Sequence, residues 1–60
     1  MTFNLKNYPW ITSPHQLISI EWNYKETSSG STQCEAWKGQ YVIDSFIRAG
    51  YTIESIVPFV

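Results

Sequence analysis

The sequence predicts a small α+β domain of order β-β-α-β. It would hold a three-stranded, mainly antiparallel sheet, with one helix packed on one face and an extended N-terminal arm. Three observations carry this. Within the strand read at Leu17 to Tyr24, Ile18 to Tyr24 alternates strictly between apolar and polar residues, the mark of a half-buried strand. From Gly39 to Ala49, steps of about 100° per residue place Val42, Ile43, Phe46, Ile47 and Ala49 on one helical arc. Gly50 then stops the helix, and the β-branched run Tyr51 to Val57 returns over the same core.

Residues 1–15 read as an arm. Phe3 and Leu5 alternate with polar neighbours, after which Tyr8-Pro9-Trp10-Ile11 and Ser13-Pro14 interrupt any regular element. Each proline pushes the residue before it toward an extended conformation. So small a core needs a lid, and covering it is the role expected of the arm; reaching a partner is the alternative. Residues 16–60 form the β-β-α-β core of a single domain spanning 1–60.

In the first strand Ile18, Ile20, Trp22 and Tyr24 share the inner face, and Ser19, Glu21 and Asn23 the outer. Lys25 to Ser31 has the composition of a polar loop. Ser31 to Trp37 admits two readings. In one it is a second strand, hairpin-paired to the first, with Cys34 and Ala36 inward. In the other Thr32 caps a longer helix, and Glu35 completes a capping box. The hairpin is preferred, because the longer helix encloses Gly39 at a cost of about 1 kcal/mol. Both readings keep a helix over 39–49, with Gln40, Tyr41, Asp44, Ser45 and Arg48 outward. Arg48 falls in the last turn, where a cation suits the helix dipole. In the last strand, Ile53 and either Tyr51 or Ile56 turn inward, and Pro58 ends it before the apolar tail Phe59-Val60.

Sixty residues bury only about 60% of the unfolded chain's surface. A lone Cys34 excludes an intramolecular disulfide, and one His with one Cys cannot build a four-ligand zinc site. Three Trp, four Tyr and three Phe are left to supply the core, each able to bury roughly 150–250 Å². The net charge is −1, and Lys6, Lys25, Lys38 and Arg48 are scattered. That excludes the basic footprint on which phosphate-driven nucleic-acid binding depends. No apolar run approaches the ~20 residues of a membrane span, and no signal peptide is visible. An unpaired cysteine fits a reducing compartment, so a cytoplasmic location is expected.

Catalytic chemistry has little to build on. Cys34, His15 and Asp44 are the one set of residue types that could make a nucleophilic centre, but His15 stands beside Pro14 with nothing to hold it. Cys34 reads better as a small core residue. The glycines Gly30, Gly39 and Gly50 are isolated and make no phosphate loop. Trp22 and Tyr24 could stack bases, but they continue the apolar stripe of Ile18 and Ile20. No cofactor, metal or membrane is expected.

These observations point to a small non-catalytic protein-binding module acting through an exposed aromatic surface. It would serve as an accessory subunit, adaptor or inhibitor; phage-encoded inhibitors of the anti-CRISPR type are one concrete version. The expected contact residues are Trp37, Tyr41, Asp44 and Arg48, since exposed Tyr, Trp and Arg are the types enriched at binding hot spots. The expected partner is another protein, with a homodimer a further use of the apolar tail. A single-stranded nucleic-acid module using the sheet aromatics is the alternative.

Overall fold

The alternating segment Leu17–Tyr24 is β1, the central strand of a three-stranded antiparallel sheet. A computed structural model describes residues 5–59; Phe3 of the arm and Val60 of the tail lie outside them. β2 (Ser28–Glu35) and β3 (Tyr51–Pro58) flank β1 in the order β2-β1-β3. Helix α1 (Ala36–Ala49) carries the chain between the two edge strands and packs on β1, β2 and β3. The predicted α+β order and one-sided helix are therefore observed.

The second strand differs from the Ser31–Trp37 expected, starting earlier and ending earlier. The expected loop over Lys25–Ser31 contracts to a turn at 25–27. There the Tyr24 carbonyl accepts hydrogen bonds from the Thr27 backbone N–H (3.0 Å) and the Thr27 hydroxyl (2.9 Å). Ser28 to Glu35 then pairs residue by residue with Tyr24 to Leu17. A Ser/Gly-rich strand is poor by propensity, but a continuous ladder to a strong central strand overrides it.

That tight turn has φ of 49° at Lys25 and 59° at Glu26, both left-handed. A left-handed non-glycine residue costs roughly 1–2 kcal/mol, whereas glycine brings an entropic cost of about 0.5–1 kcal/mol. Glu26→Gly is therefore expected to stabilise the protein by about 0.5–1 kcal/mol. A thermal melt showing a rise of a few degrees checks this, and an unchanged or lower midpoint contradicts it.

Helix α1 begins at Ala36, so the expected start near Gly39 is corrected and Gly39 lies inside the helix. The capping reading fails as well: Thr32 is in β2, where its hydroxyl accepts from Trp22 Nε1 at 3.3 Å. The N-cap is Glu35, whose side chain makes no cap bond. Instead the end of the arm and the residue before β1 supply the acceptors. Ala36 N–H donates to the Gln16 carbonyl (2.7 Å) and Trp37 N–H to the Pro14 carbonyl (3.0 Å). Two of the helix's orphan donors are satisfied in this way. At the other end Gly50 has φ 97°, and its N–H bonds back to the Phe46 and Ile47 carbonyls, the left-handed stop expected there.

The buried arc of α1 runs from Val42 through Phe46, Gly39 and Ile43 to Ala36. Gly39, Ile43 and Ala36 are fully buried. Ile47 and Ala49, expected to be inward, lie just beyond the two ends of this arc and are exposed, Ile47 at 42%. The centre of the arc is where the periodicity puts it; the buried face is narrower than expected, so the residues at its two margins stay in solvent.

On β3 a bulge decides which residues face the core. Ile20 pairs with Ile56 and Glu21 with Ser55, but Trp22 pairs with Ile53, leaving Glu54 as the extra residue. Ile53 and Ile56 are three apart and would point to opposite faces of a regular strand. The bulge lets Tyr51, Ile53 and Ile56 all pair with inward residues of β1. Glu54 is left free to accept a 2.6 Å hydrogen bond from Asn23 Nδ2.

Ile18, Ile20, Ala36, Ile43 and Ile56 form the buried core. Leu5, Tyr8, Trp10 and Ile11 of the arm pack against it, as a lid would. Further along β1, Trp22, Tyr24, Phe46 and Tyr51 make an aromatic cluster with ring centroids 4.7–5.9 Å apart. The other sheet face is polar except at one end, where Leu17 and Val57 are exposed. Ser19 is buried there beneath Gln33, whose amide donates to the Ser19 and Ser31 hydroxyls.

Candidate functional site

Trp37, Tyr41, Asp44 and Arg48 stand at i, i+4, i+7 and i+11 on α1, a spacing that aligns them along one stripe. Trp37 is 64% exposed and Tyr41 71%. Arg48 is also exposed, and Asp44 is half-buried. The four expected contact residues thus share one outward stripe on a rigid element.

The first turn of this stripe is held from the arm. Besides the backbone bond to Pro14, Trp37 has the His15 ring tilted beside it at 6.4 Å between centroids. His15 was expected to be an unrestrained loop residue. Instead its Nδ1 lies 3.2 Å from Glu35 Oε2, and its backbone N–H donates to the Ser13 hydroxyl. Lys38 Nζ is 4.0 Å from the other Glu35 oxygen. These are exposed pairs, which contribute little to stability; of the two, only His15–Glu35 links the arm to the start of α1.

Beside Trp37 lies a groove of about 610 Å³ between arm and helix, walled by Leu5, Tyr8, Pro9, Ile11 and Pro14 on one side and Trp37 and Gln40 on the other. Its volume falls in the usual range for ligand sites, roughly 300–1,000 Å³, and none of its lining residues is charged. Sequence reasoning missed this feature. The prolines at Pro9 and Pro14 signalled an extended arm, but not that its carbonyls would anchor it to the start of α1.

Cys34, His15 and Asp44 do not converge. Cys34 is half-buried and packs against the core, His15 turns to Glu35, and Asp44 lies on the outer stripe of α1. Among the described residues no group of three or more His, Cys, Asp or Glu side chains could hold a metal ion. Burial pushes the Cys34 thiol above its ordinary value of 9.0; the neighbouring Glu35 charge adds to the rise and Lys38 opposes it.

A thiol raised on folding contributes its stability fully below the unfolded thiol's pKa, and loses that contribution as pH climbs through the folded value. Cys34 is therefore expected to label slowly with thiol reagents at neutral pH, and fast only in denaturant. Its share of the alkaline stability loss should vanish in Cys34→Ala. Rapid stoichiometric labelling of the native protein would contradict this.

Compared with protein-family models, curated proteins and solved structures, the chain matches none. Among the described residues no helix is long and apolar enough to cross a membrane.

Proposed function

We propose that this chain is a small protein-binding module, an accessory subunit, adaptor or inhibitor, whose contact surface is the Trp37–Tyr41 stripe and the adjoining groove. One observation carries the reading: two large aromatic side chains stand one turn apart, mostly in solvent, on a helix held at both ends. Water-exposed Trp and Tyr have apolar area to gain on burial and lose little side-chain entropy, which is why such residues dominate interface energetics. Arg48 extends the stripe with a planar cation suited to a carboxylate on the partner. The uncharged groove beside Trp37 offers a recess for one apolar side chain.

The single-stranded nucleic-acid reading gains no support from this placement. Trp22 and Tyr24 lie on the helix side of the sheet, in the cluster with Phe46 and Tyr51. The open face carries Glu21 and Glu54 and neither Lys nor Arg among the described residues.

The test is Trp37→Ala/Tyr41→Ala. Both side chains are exposed, so the melting temperature should stay within a few degrees of the parent. Binding to a protein captured from the native host by the parent chain should weaken by about 2 kcal/mol or more. Undiminished binding by the folded variant would place the contact elsewhere.

A further inference from the structure

The two edges of the sheet are built differently. β3 carries a bulge at Glu54, a charge on the bulged residue, and Pro58 near its end. Those are the devices that stop a sheet edge from adding another strand. β2 has neither bulge nor proline, and its one charge is the terminal Glu35. Ser28 to Cys34 is regular, without proline, bulge or charge, and among the described residues no further backbone segment pairs with its outer edge.

We propose that β2 pairs antiparallel with β2 of a second copy, joining two sheets into one of six strands about a two-fold axis at Ser31. The uncharged segment Ser28–Cys34 has Ser31 as its midpoint, so in this register it lies wholly against itself. Ser28 then faces Cys34 of the second copy, and Gly30 faces Thr32 of the second copy. No like charges are opposed, and in this register the edge of β2 that carries the Trp22 indole over Gly30 meets Thr32 of the other copy on both sides of the axis, a fit that a second copy supplies twice. Residues paired in this way have matching pleat, so both helices lie on the same face of the joint sheet. The contact is isologous and closed, the commonest kind of homodimer.

Trp22 supplies the apolar part of the contact. Its indole lies across β2, with Nε1 on the Thr32 hydroxyl and the six-membered ring over Gly30, where a Cβ would stand only 2.8 Å from Cζ2. The missing side chain lets this half-buried ring reach the sheet edge. Pairing in the Ser31 register brings Thr32 of the second copy beside that edge, and the two indoles flank the axis.

Sedimentation equilibrium on the full chain tests the proposal, with Ser31→Lys as the variant. Ser31 is exposed and sits opposite Glu21, so lysine suits the single copy but meets its own charge across the axis. The expected result is a mass of twice 7.0 kDa at high concentration, with Ser31→Lys weakening the dimer at least tenfold and leaving the circular dichroism spectrum unchanged. The geometry is read by oxidising Cys34→Ser/Ser31→Cys. Directly opposed strand residues have Cα atoms about 4.5–5.5 Å apart, within disulfide reach, so this variant should form an interchain bond. Cys34→Ser/Val57→Cys, on the other edge, should not. A monomer up to about 1 mM, a dimer indifferent to Ser31→Lys, or equal cross-linking at both edges would each overturn the proposal.

Discussion

Replacing Ile43 by alanine is expected to cost about 2–5 kcal/mol, while Ile47→Ala, one turn away, should cost about 0.5 kcal/mol or less. Ile43 is fully buried among Ile18, Ile20, Ala36 and Ile56, so truncation loses its transfer energy and leaves a cavity. A core of this size supplies a net stability of about 3–5 kcal/mol at most. Ile43→Ala should therefore be largely unfolded at room temperature. Urea or thermal melts of both variants, followed by circular dichroism, check the difference. Equal losses would mean that the helix phase described above is wrong.

Gly39→Leu is expected to destabilise by about 1–3 kcal/mol, against the sign that helix propensity assigns. By propensity alone the change should gain nearly 1 kcal/mol. In the fold, a Cβ at residue 39 would stand 2.8 Å from Ile18 Cδ1 and 3.2 Å from Leu5 Cδ1. Ile18 is fully buried and has no free space to enter, so a leucine must push the helix off β1 or the arm off the helix. The sign of the change is the measurement. A more stable Gly39→Leu would show that this close approach is not needed. If the arm is what gives way, the groove beside Trp37 is lost with it, and quenching of the exposed indole should change before the global melt.

Much of the candidate stripe was legible from periodicity. Trp37, Tyr41, Asp44 and Arg48 fall on one line of any helix that includes residue 37, and the opposite arc holds the branched apolar residues. The groove was not legible. Its arm wall depends on the Pro14 and Gln16 carbonyls meeting the first N–H groups of α1, a contact across some twenty residues that no local pattern announces. The orientation of His15 against Glu35 is of the same kind.

Local chemistry determined the elements that need no partner to be read. β1 follows from its alternation, α1 from its apolar arc, and the end of α1 from Gly50, which alone among the neighbouring residues enters the left-handed region without strain. Tertiary structure decided the rest. It drew the Ser/Gly-rich segment 28–35 into a strand because β1 offered a full ladder of backbone partners. It moved Gly39 into the helix because Ile18 and Leu5 needed the space of its missing side chain. It placed a bulge at Glu54 because Ile53 and Ile56 could not otherwise both face the core. In each case a weak local preference of about 1 kcal/mol gave way to burial and backbone pairing summed over several residues.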